Sequence, residues 1–171
     1  SVATLNDTSS SRISTSRFLG PIIVGGVGKV DVSRAERVSG ADGVTATHDG
    51  YLERFGLLYE RDIFVAVSGN EIRGRERFFR PGHPDGPVEG VAVVRFHIHP
   101  AIQLYPASDN EKRLVAPDGE AWALTCLDVA VEEEDDVFFA DPSGVRPSRQ
   151  LTLTMPLGET PEIQWSLVRR R

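Results

Sequence analysis

The sequence predicts an all-β protein: a large antiparallel two-sheet β-sandwich of the supersandwich type, with little or no helix. Three observations predict it. Eleven prolines and sixteen glycines among 171 residues leave almost no window open for a helix of ordinary length, about 11 residues. Short β-branched and aromatic runs alternate with period two. The connections between them are brief and rich in turn formers, which suits antiparallel pairing. A chain of this length buries one core, so residues 1–171 are read as a single domain.

In chain order, strands are expected at Val2–Leu5, Gly28–Arg37, Gly43–Thr47, Arg54–Glu60, Asp62–Val67, Glu71–Arg77 and Val88–His99. Six more follow at Ile102–Tyr105, Lys112–Val115, Ala121–Cys126, Val129–Glu133, Arg149–Met155 and Glu162–Val168. The segments SGNE (68–71), PDGE (117–120), DPSG (141–144) and LGETPE (157–162) place Asn, Asp or Gly where a turn needs positive φ or a side-chain cap. A further tight reversal is expected at ERDIF (60–64). The Ser/Thr-rich stretch 6–20 and the proline-broken stretch 78–90 read as exposed loops.

Nineteen basic against 25 acidic residues give a net charge of −6 and a pI near 5.2. That field disfavours sequence-independent binding to nucleic acid or an anionic membrane. The single cysteine, Cys126, cannot form an internal disulfide, and no apolar run approaches the ~18 residues of a membrane span. The first twenty residues lack the layout of a signal peptide. The only methionine is Met155 and the chain opens directly on a strand-like pattern, so it reads as a piece of something longer.

Candidate sites follow from patterning. In RFHIHP (95–100), strand alternation sends Phe96 and Ile98 to the core and Arg95, His97 and His99 to the other face. Two imidazoles on one face can hold Zn²⁺ if a neighbouring strand adds a carboxylate; the alternative is a polar solvent face. The cupin arrangement lacks its acid here, because Pro100–Leu104 follow and the next acid is Asp109. Arg73, Arg75 and Arg77 alternate along one strand and could grip carboxylates or sulfates bidentately, or form a solvated face balanced by Glu71 and Glu76. His48 and Asp49 are expected to shape a turn, with Tyr51 opening the next strand as an aromatic anchor. The run EEEDD (132–136) reads as a charged strand edge rather than a Ca²⁺ site. No nucleophile elbow, phosphate loop or CxxC pair is present, and the glycines of GPIIVGGVGKV (20–30) open no helix.

The HDGY…FG…R block (48–61), with RFHIHP, DGEAW, IQWSLVRR and the opening SVATLNDTSSSR, resembles the C-terminal domain of the heparinase II/III-like family over nearly the whole chain. The resemblance implies a sandwich that follows an N-terminal helical toroid in bacterial enzymes of periplasm or cytoplasm. Such enzymes cleave uronic-acid polysaccharides by β-elimination, with base, acid and carboxylate neutralisation acting on the C5 proton and bridging oxygen. It places the catalytic tyrosine and asparagine in the helical part, so none of Tyr51, Tyr59 or Tyr105 inherits a role, and a family histidine would fall just ahead of Ser1. No catalytic residue is therefore assigned to this chain, which is expected to be inactive alone. The resemblance also implies a structural divalent metal, Zn or Ca, with His97 and His99 as ligands, and an acidic polysaccharide as partner, with Arg73, Arg75 and Arg77 as its contacts. Two rivals stay open: a carbohydrate-binding module using Trp122 and Trp165, and a small metal-dependent, cupin-like β-barrel enzyme built on His97 and His99.

Overall fold

The computed structural model describes residues 2–14, 16–18, 20, 22–38, 40–142 and 144–170. The strands are β1 (Val2–Leu5), β2 (Thr8–Ser9), β3 (Arg12–Ile13), β4 (Ile23–Gly25), β5 (Val30–Val38), β6 (Ala41–His48), β7 (Leu58–Ala66) and β8 (Glu71–Phe79). Then come β9 (Val91–Ile98), β10 (Gln103–Ser108), β11 (Glu111–Val115), β12 (Ala121–Cys126), β13 (Val131–Phe138), β14 (Arg146–Pro156) and β15 (Glu162–Arg170). One short helix, α1 (Leu52–Phe55), lies between β6 and β7. No helix among the described residues is long and apolar enough to cross a membrane.

The smaller sheet runs β13-β14-β9-β1-β2 and the larger β10-β11-β12-β15-β8-β7-β6-β5, while β3 and β4 pair by themselves. All pairings are antiparallel. The predicted two-sheet sandwich is therefore present. It is not a closed barrel, because β10 and β5 are free edges of the larger sheet.

Period-two burial builds the core. Ala92, Val94, Leu151, Leu153 and Met155 from the smaller sheet meet Tyr59, Phe78, Leu124, Cys126, Ile163 and Trp165 from the larger. Phe96 and Ile98 pack against this cluster as expected, and Phe96 meets Trp165 edge-on with centroids 4.9 Å apart. Gly74 lies opposite Trp165 in the register, and a Cβ there would fall 2.1 Å from the indole ring. The ring thus occupies the space a side chain would need.

Four expectations change. The reversal at 60–64 is absent: α1 and then the single nine-residue β7 replace the two strands expected over 54–67. Tyr51 opens no strand but sits at the N-cap of α1, where it is nonetheless a buried anchor. The charges that looked like a turn are cross-strand partners, with Glu60 opposite Arg77 and Asp62 opposite Arg75. The 6–20 stretch contains β2 and β3, with Phe18 fully exposed. Val88, in the proline-rich loop, is buried in the core. The acidic run sits on β13, an edge strand as expected, although that strand continues to Phe138. Gly69, Gly119 and Gly144 all take positive φ at the predicted turns; Ser143 of DPSG lies outside the described residues.

Candidate polar cleft at one end of the sandwich

A cleft of about 330 Å³ opens where β2, the β3–β4 hairpin, the 48–51 turn and α1 meet, with Ser9, Arg12, Asp49, Gly50, Glu53 and Arg54 among its walls. β2 and Ser10 build one wall, and the β1–β2 turn sets their place. Asn6 and Asp7 both take positive φ, 46° and 54°, a conformation that Asn and Asp tolerate best among side chains with a Cβ. Asn6 then anchors the turn to β9: its N–H donates to Val91 O and its Oδ1 accepts from Val91 N–H, each at 2.8 Å. A Cβ on Gly26 would fall 2.5 Å from Ser10 O, so glycine there lets the hairpin close on the wall.

The 48–51 turn supplies the floor. Asp49 Oδ1 accepts from the backbone N–H groups of Gly28 and Lys29 at 2.8 and 3.0 Å. These two amides hold the carboxyl below its usual range. His48 Nδ1 accepts from Gly50 N–H at 3.1 Å, and burial pushes the imidazole below its ordinary pKa. Both residues thus shape a turn, as expected. Tyr51 Oη donates to Ala3 O at 2.6 Å, tying the turn to β1.

Behind this turn lies a buried polar group that alternation alone did not reveal. Glu76 is fully buried. Its Oε1 accepts from Trp165 Nε1 at 2.9 Å, and its Oε2 from Arg61 Nε at 2.9 Å and from Tyr59 Oη. Tyr59 in turn packs against His48 with ring centroids 5.1 Å apart. Burial, followed by the Glu76 charge, raises the Tyr59 phenol far above its usual range. Glu76 therefore does not balance the arginine stripe, as the sequence suggested. It faces the opposite way.

Arg73, Arg75 and Arg77 do share the outer face of the larger sheet, but their charges are largely matched. Arg75 bonds Asp62 at 2.6 Å and Glu60 at 2.8 Å and reaches Glu162 at 3.4 Å. Arg77 contacts Asp85 and Glu162, and Arg73 pairs with Glu71 at 3.1 Å. His97 lies on the opposite side of the molecule, on the outer face of the smaller sheet, and His99 just past the end of β9. His97 Nδ1 is 2.7 Å from Asp136 Oδ2. His99 Nδ1 accepts from Ala101 N–H, and its ring meets Phe138 edge-on. Among the described residues no group of three or more His, Cys, Asp or Glu side chains could hold a metal ion. His97 has one carboxylate beside it, that of Asp136, fewer donors than a closed metal cage needs. Neither residue group lines the cleft.

The sequence of the whole chain decides its relationship: residues 1–166 match the family model described as "Heparinase II/III-like, C-terminal". The chain belongs to that family. Among solved structures, this heparinase II/III-like domain superposes on the heparan sulfate lyase HepC of Pedobacter heparinus with a TM-score of 0.72 at 14% identity, covering 99% of this chain and 24% of that one. A heparinase III gives 0.67 at 9% identity, with 98% and 23% covered. The α-N-acetylgalactosaminidase NagBb of Bifidobacterium bifidum gives 0.56 at 11% identity, with 99% and 30% covered. At these identities the likeness is one of fold. FtsZ-localized protein C of Caulobacter vibrioides is 29% identical over 163 residues, 90% of this chain and 27% of that protein. The heparinase II/III-like domain thus spans under a third of the length of each of these relatives. Of the rivals, the barrel is excluded by the open sheets. The binding-module reading loses Trp165, which is buried, and has Trp122 half-buried with its Nε1 tied to Glu120 at 2.6 Å.

Proposed function

We propose that this domain forms a wall of the substrate cleft in a lyase that cleaves uronic-acid-containing polysaccharide by β-elimination, with the proton-transfer groups supplied by an upstream helical region. The family match running through both sheets carries this reading. The polar cleft supports it, since Arg12 and Arg54 on its walls offer guanidinium groups to a uronate carboxylate. Developing negative charge at C5 is tolerable only when that carboxylate is neutralised. On the outer sheet face, Arg73 is the stripe residue suited to a further polyanion contact, because Arg75 is already committed to three carboxylates. His97 and His99 are retained as candidate donors to a divalent metal, to be tested by metal analysis of wild type against His97→Ala.

The deciding experiment compares this chain with the same chain joined to its upstream region. Each is incubated with heparan sulfate and other uronates, and the unsaturated product is followed by ultraviolet absorbance. Product is expected only from the longer protein. Turnover by the isolated chain would overturn the proposal.

A second reading is favoured by sequence likeness, since identity to FtsZ-localized protein C is about twice that to the lyase HepC. In that reading the sandwich serves a protein that localises with FtsZ. Co-sedimentation of the longer protein with FtsZ polymers, without turnover of any uronate, would establish it.

A further inference from the structure

The two sheets differ in width, eight strands against five. Phe96 of β9 packs on Trp165 of β15, and Ala3 of β1 is tied to Tyr51, at the N-cap of α1 just after β6. The smaller sheet therefore ends before the larger one does, and β5 lies beyond its cover. Cross-strand partners share a face. Val30 is opposite His48 and Arg34 opposite Val44 in one register, and His48 is opposite Tyr59 and Val44 opposite Ile63 in the next. Tyr59 and Ile63 belong to the core, so Val30, Val32 and Arg34 are on the inward side of the sheet. Yet Val30 is 56% and Val32 61% exposed.

Just ahead of β5 in the chain lies a second exposed apolar group. The β3–β4 hairpin carries Ile13, Ile23 and Val24, all exposed. It is held beside the cleft by the bonds of Asp49 to Gly28 and Lys29. Val30 and Val32 on an inward-facing edge, with a second aliphatic group on the preceding hairpin, differ from the scattered apolar residues of an ordinary surface.

We propose that the inward face of β5, with the β3–β4 hairpin, is the seat of the polypeptide that precedes this domain, through an apolar surface flanked by Arg34. This rests on the reading of the chain as the C-terminal part of a longer protein. Two observations select that occupant. The matching family is a C-terminal one, and roughly three quarters of the relatives' length lies outside the matched region, so a large partner is tethered to the patch at high effective concentration. The patch also borders the cleft, where an upstream catalytic region has to stand. A second copy adding a strand to the β5 edge is disfavoured by the Lys29–Asp31 ion pair at its start and by Arg34 along it.

The test uses the full-length protein with Val32→Cys and, as an exposed reference in the β12–β13 connection, Leu127→Cys, which is 83% exposed in this domain. Maleimide labelling is resolved by peptide mass spectrometry, with tryptophan emission as the check on folding. The cysteine at 32 is expected to label at least about tenfold more slowly than that at 127, at every protein concentration. Equal rates would overturn the inference, and protection that grows with concentration would assign the patch to a second copy instead. Uronate turnover on the same samples reports the lyase reading separately: a protected but inactive protein keeps this inference and sinks that reading.

Discussion

Glu76 shows how much one buried side chain can specify. A carboxylate in the core costs several kcal/mol unless it is paired and hydrogen-bonded. Here Tyr59, Arg61 and Trp165 converge on it from β7 and β15. Glu76→Ala removes the acceptor for all three and leaves a guanidinium short of its anion. Urea unfolding is expected to show a loss of about 3–5 kcal/mol. Thr152 is the opposite case: it is fully buried and its Oγ1 has no hydrogen-bond partner among the described residues. Thr152→Val replaces that hydroxyl by a methyl of similar shape, so a gain of about 1–2 kcal/mol is expected in the same measurement. His48 adds a pH dependence. Its folded pKa is depressed by burial, so the folded state binds fewer protons than the unfolded chain. The stability it confers is full above the unfolded value of about 6.5 and is lost as pH falls below it. The unfolding midpoint should drop between about pH 7.5 and 5.5. His48→Asn, which keeps an acceptor for Gly50 N–H, should flatten that slope.

Among the elements, the central β7–β8–β15 ladder couples two faces of different character. Its outer face holds Glu60, Asp62, Arg75, Arg77 and Glu162 in one ion-pair group. Arg75 is about one-third exposed while Asp62 is nearly buried, so Arg75→Ala leaves three carboxylates facing one another. A loss of about 1–3 kcal/mol is expected after allowance for solvent screening. Arg73→Ala breaks only the more exposed pair with Glu71 and should cost under about 1 kcal/mol. Equal losses for the two would deny that the group acts as a unit. The same ladder shows what sequence patterning can and cannot reveal. Strands at 121–126 and 2–5, and the inward placing of Phe96 and Ile98, were legible because period-two burial is written in residue type. ERDIF misled because a run of charges carries the same letters whether it turns or pairs across strands; the partners, Arg75 and Arg77, lie more than ten residues away. Glu76 hid for the same reason, since polarity puts it outside and only Arg61, Tyr59 and Trp165 together put it in. The β1–β2 hairpin did leave a signal, the Asn6-Asp7 pair suited to positive φ, within a stretch whose Ser/Thr content reads as loop. The cleft left none, being assembled from four segments that no local pattern relates.

For the molecule as a whole, charge decides what the domain can do without a partner. The net charge is −6, and five carboxylates, those of Glu60, Asp62, Glu71, Asp85 and Glu162, already engage the arginine stripe. Even at the cleft, Arg12 shares its surroundings with Glu53, 3.8 Å away. A polyanion approaching this domain therefore meets a few guanidinium groups in a negative surrounding field. Beyond about 10 Å that field is screened at ordinary salt, which leaves only short-range contacts to hold the ligand. Each phosphate-like or sulfate contact adds roughly one unit of salt dependence to binding, so two or three contacts make a weak and salt-sensitive complex. The isolated domain is expected to leave immobilised heparin at or below physiological ionic strength, and Arg12→Ala with Arg54→Ala should advance that elution further. Retention at several times that salt concentration would require a broader cationic surface than these sheets carry. It would make the sandwich by itself a polysaccharide-binding surface.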